Sequence, residues 1–196
     1  MKSIHETYIS EYLKLFIHST PEEIEFIRLY LNVKEYNRKD FFLKKDEVQK
    51  EMGYVSKGLL RRYYVDGRHR DITTGFIKES EYATDYPAFI EQRKTSCFIQ
   101  CLEPTIIVAL PFKKIYESYD NFKNSQWYGR LVAENALAIV TDRVESFLLN
   151  TAQERYVQFI KNNPALINRI SLTHLSSFLG VERQSLSRIR KRLIEN

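Results

Sequence analysis

A chain of 196 residues that is 43% hydrophobic is too apolar to be disordered, and is long enough for one large domain or for a sensor with a small second domain. Its net charge of +5 gathers at one end: from Pro164 onward Arg169, Arg183, Arg188, Arg190, Lys191 and Arg192 face only Glu182 and Glu195, the footprint expected for a polyanionic partner. There is no apolar signal core, no run of membrane-spanning length and only two cysteines, so a membrane protein and a disulfide scaffold are excluded and a cytoplasmic setting is expected.

Residues 3 to 16 are predicted helical, with Ile4, Tyr8, Ile9, Tyr12, Leu13 and Phe16 on one stripe. Thr20-Pro21-Glu22-Glu23 reads as a capping box in which Thr20 caps, Pro21 takes the first helical position and Glu23 reaches back. The helix it opens runs to about Leu31, burying Ile24, Ile27 and Leu31. From Asn32 to Leu110 the texture changes to short runs rich in Tyr, Phe, Ile, Val and Thr. Lys45-Asp46, Lys57-Gly58 and Asp66-Gly67 punctuate them, and Asp66-Gly67 between Arg62–Val65 and Arg68–Thr74 predicts a hairpin. Such spacing predicts a barrel or a double-sheet jelly roll. Cys97 and Cys101 fall on a predicted strand, where packing is the expected role rather than metal binding. Tyr54, Tyr63, Tyr64, Tyr82 and Tyr86 crowd the same region, as core and rim or as the lining of an apolar effector cavity.

From Phe112 the helical period returns. Lys113–Tyr119 is predicted as a short helix, and Asp120-Asn121 separates it from a long one carrying Tyr128, Val132, Ala136, Ile139, Val140, Val144, Phe147 and Leu148. A helix this long and apolar needs more cover than its own domain supplies, so Val132, Ala136, Ile139, Val140, Val144 and Phe147 are expected to form a homodimer seam. The rival reading packs the same helix on the β-domain. Thr151 is positioned to cap a helix over Ala152–Lys161, which ends before Asn163-Pro164 as the residue preceding proline requires.

The last quarter carries the most specific pattern. Leu172, Leu175, Phe178 and Leu179 mark the buried face of a short helix, and Gly180 supplies the positive φ of a tight turn. Leu186, Ile189 and Leu193 define a second helix, Ser176 leaves room for it to cross, and Val181 plugs the gap. Two short helices joined this way form a helix-turn-helix, whose second helix enters the major groove. Arg183, Gln184, Ser187 and Arg188 on its outer face are the candidate base readers, since arginine pairs bidentately with guanine and glutamine with adenine. Ser171, Thr173, Ser185, Arg190 and Lys191 are the candidate phosphate contacts.

This segment resembles the DNA-binding helix pair of the Crp/Fnr family of bacterial transcription regulators, most closely in Leu179-Gly180-Val181 and Leu186-Ser187-Arg188-Ile189-Arg190-Lys191. The likeness covers about the last 45 residues well and the upstream order of elements more loosely. It implies an α+β protein. A cyclic-nucleotide-binding-type β-roll would occupy residues 1–112, a linker and long dimer helix 113–149, and the reader 150–196. It also implies a homodimer on double-stranded DNA, with RNA polymerase a further possible partner. The family's pocket has a Gly-Glu-Leu turn, a short helix, and an arginine that neutralises the cyclic phosphate. Here that stretch runs from Ala83 to Cys97, with Asp85, Arg93, Thr95 and Ser96 as the effector-site candidates. Asp85 stands where the glutamate does, the arginine position falls on Thr95, and Arg93 comes two residues early, a step that keeps the face if the segment is a strand. The expected cofactor is none: the residues do not support a cyclic nucleotide, and an unknown small-molecule effector remains open. Many relatives continue into a β-hairpin wing, so with the sequence ending at Asn196 the wing contacts are expected to be missing.

Enzyme readings do poorly. His5, His18, His69 and His174 lie in separate elements without metal-site spacing, and no nucleophile elbow, Walker loop or dinucleotide fingerprint is present. The alternative to a DNA reader is a small-molecule-binding sensor module whose basic tail contacts a protein or RNA.

Overall fold

The computed structural model describes residues 4–195. Its order is α1 (Ile4–Leu13), α2 (Pro21–Tyr30), β1 (Asn32–Tyr36), β2 (Phe41–Leu43), β3 (Glu51–Lys57), β4 (Leu60–Val65), β5 (Asp71–Ile77) and β6 (Tyr82–Ala83). Then follow α3 (Tyr86–Ile90), β7 (Phe98–Cys101), β8 (Thr105–Pro111), α4 (Phe112–Asn121), α5 (Lys123–Leu149), α6 (Ala152–Asn162), a 3-10 turn (Pro164–Leu166), α7 (Leu172–Leu179) and α8 (Arg183–Glu195). The chain gathers into two compact units. One holds the chain up to Arg62 with Phe76–Ala136, and the other holds Tyr63–Gly75 with the chain from Leu137 onward. The division therefore crosses one β-hairpin and the middle of α5.

The first unit is a double-sheet roll, with strand orders β1-β8-β3-β6 and β2-β7-β4-β5. Strand β8 explains the layering. Its Ile106-Ile-Val-Ala-Leu110 run is continuously apolar because both faces are covered. Ile107 and Ala109 join Val55, Leu60, Ile77, Ile99 and Cys101 in the core between the sheets. The alternate residues Val108 and Leu110 join Met52, Tyr12, Phe16, Ile27 and Phe89 in a second core beneath the helices. Gly53 is required at the first interface, since a Cβ there would lie 2.7 Å from Ile107 Cγ2 and 2.8 Å from the Phe42 ring. Both cysteines are buried, and burial pushes each thiol up to about 11.

Several local expectations are corrected. Thr20 caps α2 by accepting from Glu23 N at 3.2 Å, but the Glu23 side chain does not reach back. It turns inward, 1% exposed, and accepts from Ser125 Oγ at the start of α5. The β4–β5 hairpin forms, with a loop longer than Asp-Gly alone. Asp66 Oδ1 accepts from Arg68 N and Arg70 N, and the positive φ of 58° falls on His69, not on Gly67. The break between α4 and α5 falls at Phe122. Thr151 forms a full capping box with Glu154 at the head of α6.

Candidate nucleic-acid interface

The second unit builds its site on α7 and α8. Ser171 caps α7, its Oγ accepting from His174 N at 3.1 Å. Gly180 ends α7 in the left-handed conformation, φ 67° and ψ 36°, and its N–H donates to Ser176 O and Ser177 O. Leu175, Ser176, Leu179 and Leu186 are buried at the crossing of the two helices, which is the role their spacing predicted. At about 100° per residue, Arg183, Gln184, Ser187, Arg188 and Lys191 share an arc of about 140° on α8, opposite Leu186, Ile189 and Leu193. All four base-reading candidates are exposed. Arg188 Nη2 donates to Ser185 Oγ at 3.3 Å, so half-buried Ser185, a candidate phosphate contact, is engaged with a candidate base reader. Thr173, Arg190 and Lys191 are exposed beside Ser171.

Two features were not legible in sequence. Glu182, just ahead of α8, lines an open hollow with Arg183, Gln184 and Ser187. A carboxylate in that place suits a cytosine amino group. The other is a buttress of arginines. Arg143 Nη2 donates to Phe178 O at 3.0 Å and to Thr73 O at 3.3 Å, with its guanidinium 4.1 Å from the Phe178 ring centroid and 4.9 Å from that of Phe147. Arg155 Nε donates to Leu179 O at 3.1 Å, Nη1 donates to Asn150 O at 2.7 Å, and its guanidinium lies 4.7 Å from Phe147. Two cations thus meet the last carbonyls of α7, where the helix dipole favours positive charge. The outer hairpin adds a third tie: Thr73 N donates to Ser177 Oγ at 2.9 Å and Ser177 Oγ donates to Asp71 O at 2.8 Å.

The expected dimer stripe divides. Val132 packs against the helix-facing core of the first unit, as the rival reading had it. Phe147 serves the turn instead, because a Cβ at Gly180 would lie 2.7 Å from its ring. Ala136 is half-buried. At about 100° per residue Ile139 lies nearly opposite Leu137 on the helix. Val140 and Val144 share a face with Leu137 and Leu148, and these four are 51%, 52%, 68% and 77% exposed.

The effector candidates also divide. Thr95 Oγ1 donates to Asp85 Oδ2 at 2.5 Å, both residues being buried, and Gln49 Oε1 holds Asp85 N at 3.0 Å. Arg93 lies in the turn after α3 rather than on a strand, since β7 begins only at Phe98. Its Nε meets Glu91 Oε2 at 2.5 Å at the surface, and Ser96 is exposed. The face-preserving argument for Arg93 therefore fails.

No protein-family model and no curated protein matches the sequence. Solved structures do match the fold. FixK2 from Bradyrhizobium japonicum aligns with a TM-score of 0.75 at 14% identity, over 84% of this chain and 85% of that one. A protein from Eubacterium rectale assigned to the Crp/Fnr family of transcriptional regulators aligns at 0.74 and 14% identity, over 94% and 88%. The Thermus thermophilus catabolite activator protein aligns at 0.56 and 18%, over 92% and 86%. The chain shares the architecture of these regulators, from roll to carboxy-terminal helices. No helix among the described residues is long and apolar enough to cross a membrane.

Proposed function

We propose that this chain is a Crp/Fnr-type transcription regulator that reads pseudo-palindromic DNA as a homodimer. The observation that carries the reading is the exposed arc of Arg183, Gln184, Ser187 and Arg188 on a helix held by Leu186 against a glycine-terminated α7. Arginine and glutamine there present bidentate donors and acceptors to base edges, while Ser171, Thr173, Arg190 and Lys191 supply the phosphate contacts that set register. The fold shared with FixK2 and the Eubacterium rectale protein supports the same reading.

The homodimer rests on the stripe of Leu137, Val140, Val144 and Leu148. Its steps of three and four residues are those of a coiled-coil seam, and its exposure asks for a partner helix. A two-fold dimer reads an inverted repeat. RNA polymerase is the further partner such a regulator implies, and any small-molecule effector would be of a chemistry other than a cyclic nucleotide. Asp85 is engaged by Thr95 and Arg93 by Glu91, which leaves the usual phosphate and ribose ligands of that pocket unassembled.

The test is selection of bound duplexes from a random pool by the purified chain, with candidate effectors as parallel arms. Enrichment of an inverted repeat with half-sites about 10–10.5 base pairs apart is the expected result. Equal retention of all duplexes and of RNA would reject a base reader and favour a sensor module with a merely basic tail. On the selected site, Arg188→Ala should lose about 1–3 kcal/mol and relax one base position, while Lys191→Ala should weaken every sequence alike and reduce the salt slope by about one.

A further inference from the structure

The roll unit contains a cavity that the pocket around Asp85 and Thr95 does not account for. It lies in the helix-facing core, among α1, α3, α4, α5 and the outer face of β3 and β8, whereas Thr95 sits against Cys97 of the core between the sheets. The cavity measures about 60 Å³, several times the roughly 10–15 Å³ that one water needs. Ile90 and Tyr116 in its lining are exposed, so the cavity borders the surface there.

Its chemistry is narrow. The walls are aromatic and aliphatic, and no charged side chain is among the described residues that line it. Ser125 Oγ donates to Glu23 and Ser118 Oγ donates to Ile115 O, so both serine donors are spent. The tyrosines differ. Tyr82 Oη donates to Tyr12 Oη at 3.4 Å, which makes Tyr128 the donor in its 2.8 Å bond to Tyr82. One proton per hydroxyl then leaves the O–H of Tyr12, a residue 4% exposed, without an acceptor among the described residues. Burial raises the phenols of Tyr12, Tyr82 and Tyr128, so all three remain neutral donors. A buried donor in an apolar chamber calls for an acceptor oxygen.

We propose that this cavity is a binding site for a small neutral aromatic compound bearing a hydroxyl or carbonyl oxygen, which accepts from Tyr12 and stacks among the surrounding rings. An anion of the same size is excluded because nothing in the lining compensates its desolvation. This site is independent of the DNA reading, and its test contains no DNA.

Saturation-transfer NMR and calorimetry on the full chain would compare phenol, toluene and benzoate. Phenol should bind saturably, toluene about tenfold more weakly, and benzoate more weakly still. Tyr12→Phe keeps the ring and removes the proton, so it should bring phenol down to the level of toluene while leaving toluene unchanged. Gly129→Ala adds a methyl 2.6 Å from Tyr119 Cζ, so that ring of the lining must shift and the cavity is reshaped, which should abolish binding of both ligands. Each variant's thermal melt and helical signal would establish that it is folded. Phenol that fails to saturate the native chain, or binds both folded variants as it binds the native one, would overturn the proposal. So would benzoate binding as well as phenol.

Discussion

The two units solve the same problem with different materials. The roll buries apolar residues on both faces of one sheet, so β8 alone serves two cores, and ring contacts such as Tyr12–Phe16 at 5.4 Å and Phe89–Phe112 at 5.2 Å fill the outer one. The second unit is smaller and has few buried hydrophobic side chains, chiefly Tyr156, Phe159, Leu166, Leu175, Leu179 and Leu186. A small unit exposes more of itself per residue. It compensates by laying Arg143 and Arg155 over Phe147 and Phe178 and spending their donors on backbone carbonyls. The lesson is that a small helical unit can be held together by cations whose stems and planes act as core while their charge caps a helix.

That contrast can be broken from either side. The largest effect is expected for Ile107→Ala, which empties a fully buried place between the sheets and should cost about 2–5 kcal/mol. Chemical denaturation followed by tyrosine fluorescence of the roll would show it, and a loss under 1 kcal/mol would mean the inner core is loosely packed. Next comes Gly180→Ala. A left-handed backbone with a side chain, together with a methyl pressed on the Phe147 ring, should cost about 2–4 kcal/mol. Helical signal in urea would report it, and a native-like midpoint would show that the turn does not depend on Phe147. Arg143→Met keeps the apolar stem but removes the planar cation and its two carbonyl bonds, for a loss of about 1–2 kcal/mol. If Met stabilises instead, the buttress is packing alone.

The smallest effect is a pH dependence. Glu154 is held below its ordinary value of 4.5 by the N–H and hydroxyl of Thr151. A group with a depressed folded pKa adds stability above 4.5, lost as pH falls through the folded value. Melts of the native chain and of Glu154→Gln should therefore differ by a steady amount above pH 4.5 and converge as pH falls from there through the lower folded value. Parallel curves across that range would remove the capping box from the account.

Some local chemistry was readable within one turn of helix: Thr151 was expected to cap α6, and Gly180 needs only its own φ. The cap of α7 by Ser171 was missed, and Glu23, three residues past Thr20, turned inward instead of reaching back. The regular spacing of short strands and turn signals is equally local, which is why a barrel or double-sheet roll could be anticipated. What else the pattern missed joins distant residues. Glu23 meets Ser125 across 102 residues, and Arg143 reaches Phe178 across 35. A periodic apolar list also cannot tell two faces of one helix apart when both are apolar. Val132 and Val140 were therefore grouped together although one packs inward and the other stands exposed.

The outer hairpin has a consequence for how this protein can be divided and made. Residues 63–75 belong with the helices of the second unit, and the bond from Thr73 to Ser177 closes a loop of 104 residues. A fragment beginning at Leu137 would leave Ser177 and Arg143 without the backbone groups they hold. Any fragment meant to keep the α7–α8 pair intact therefore needs this hairpin as well, although the two lie far apart in sequence.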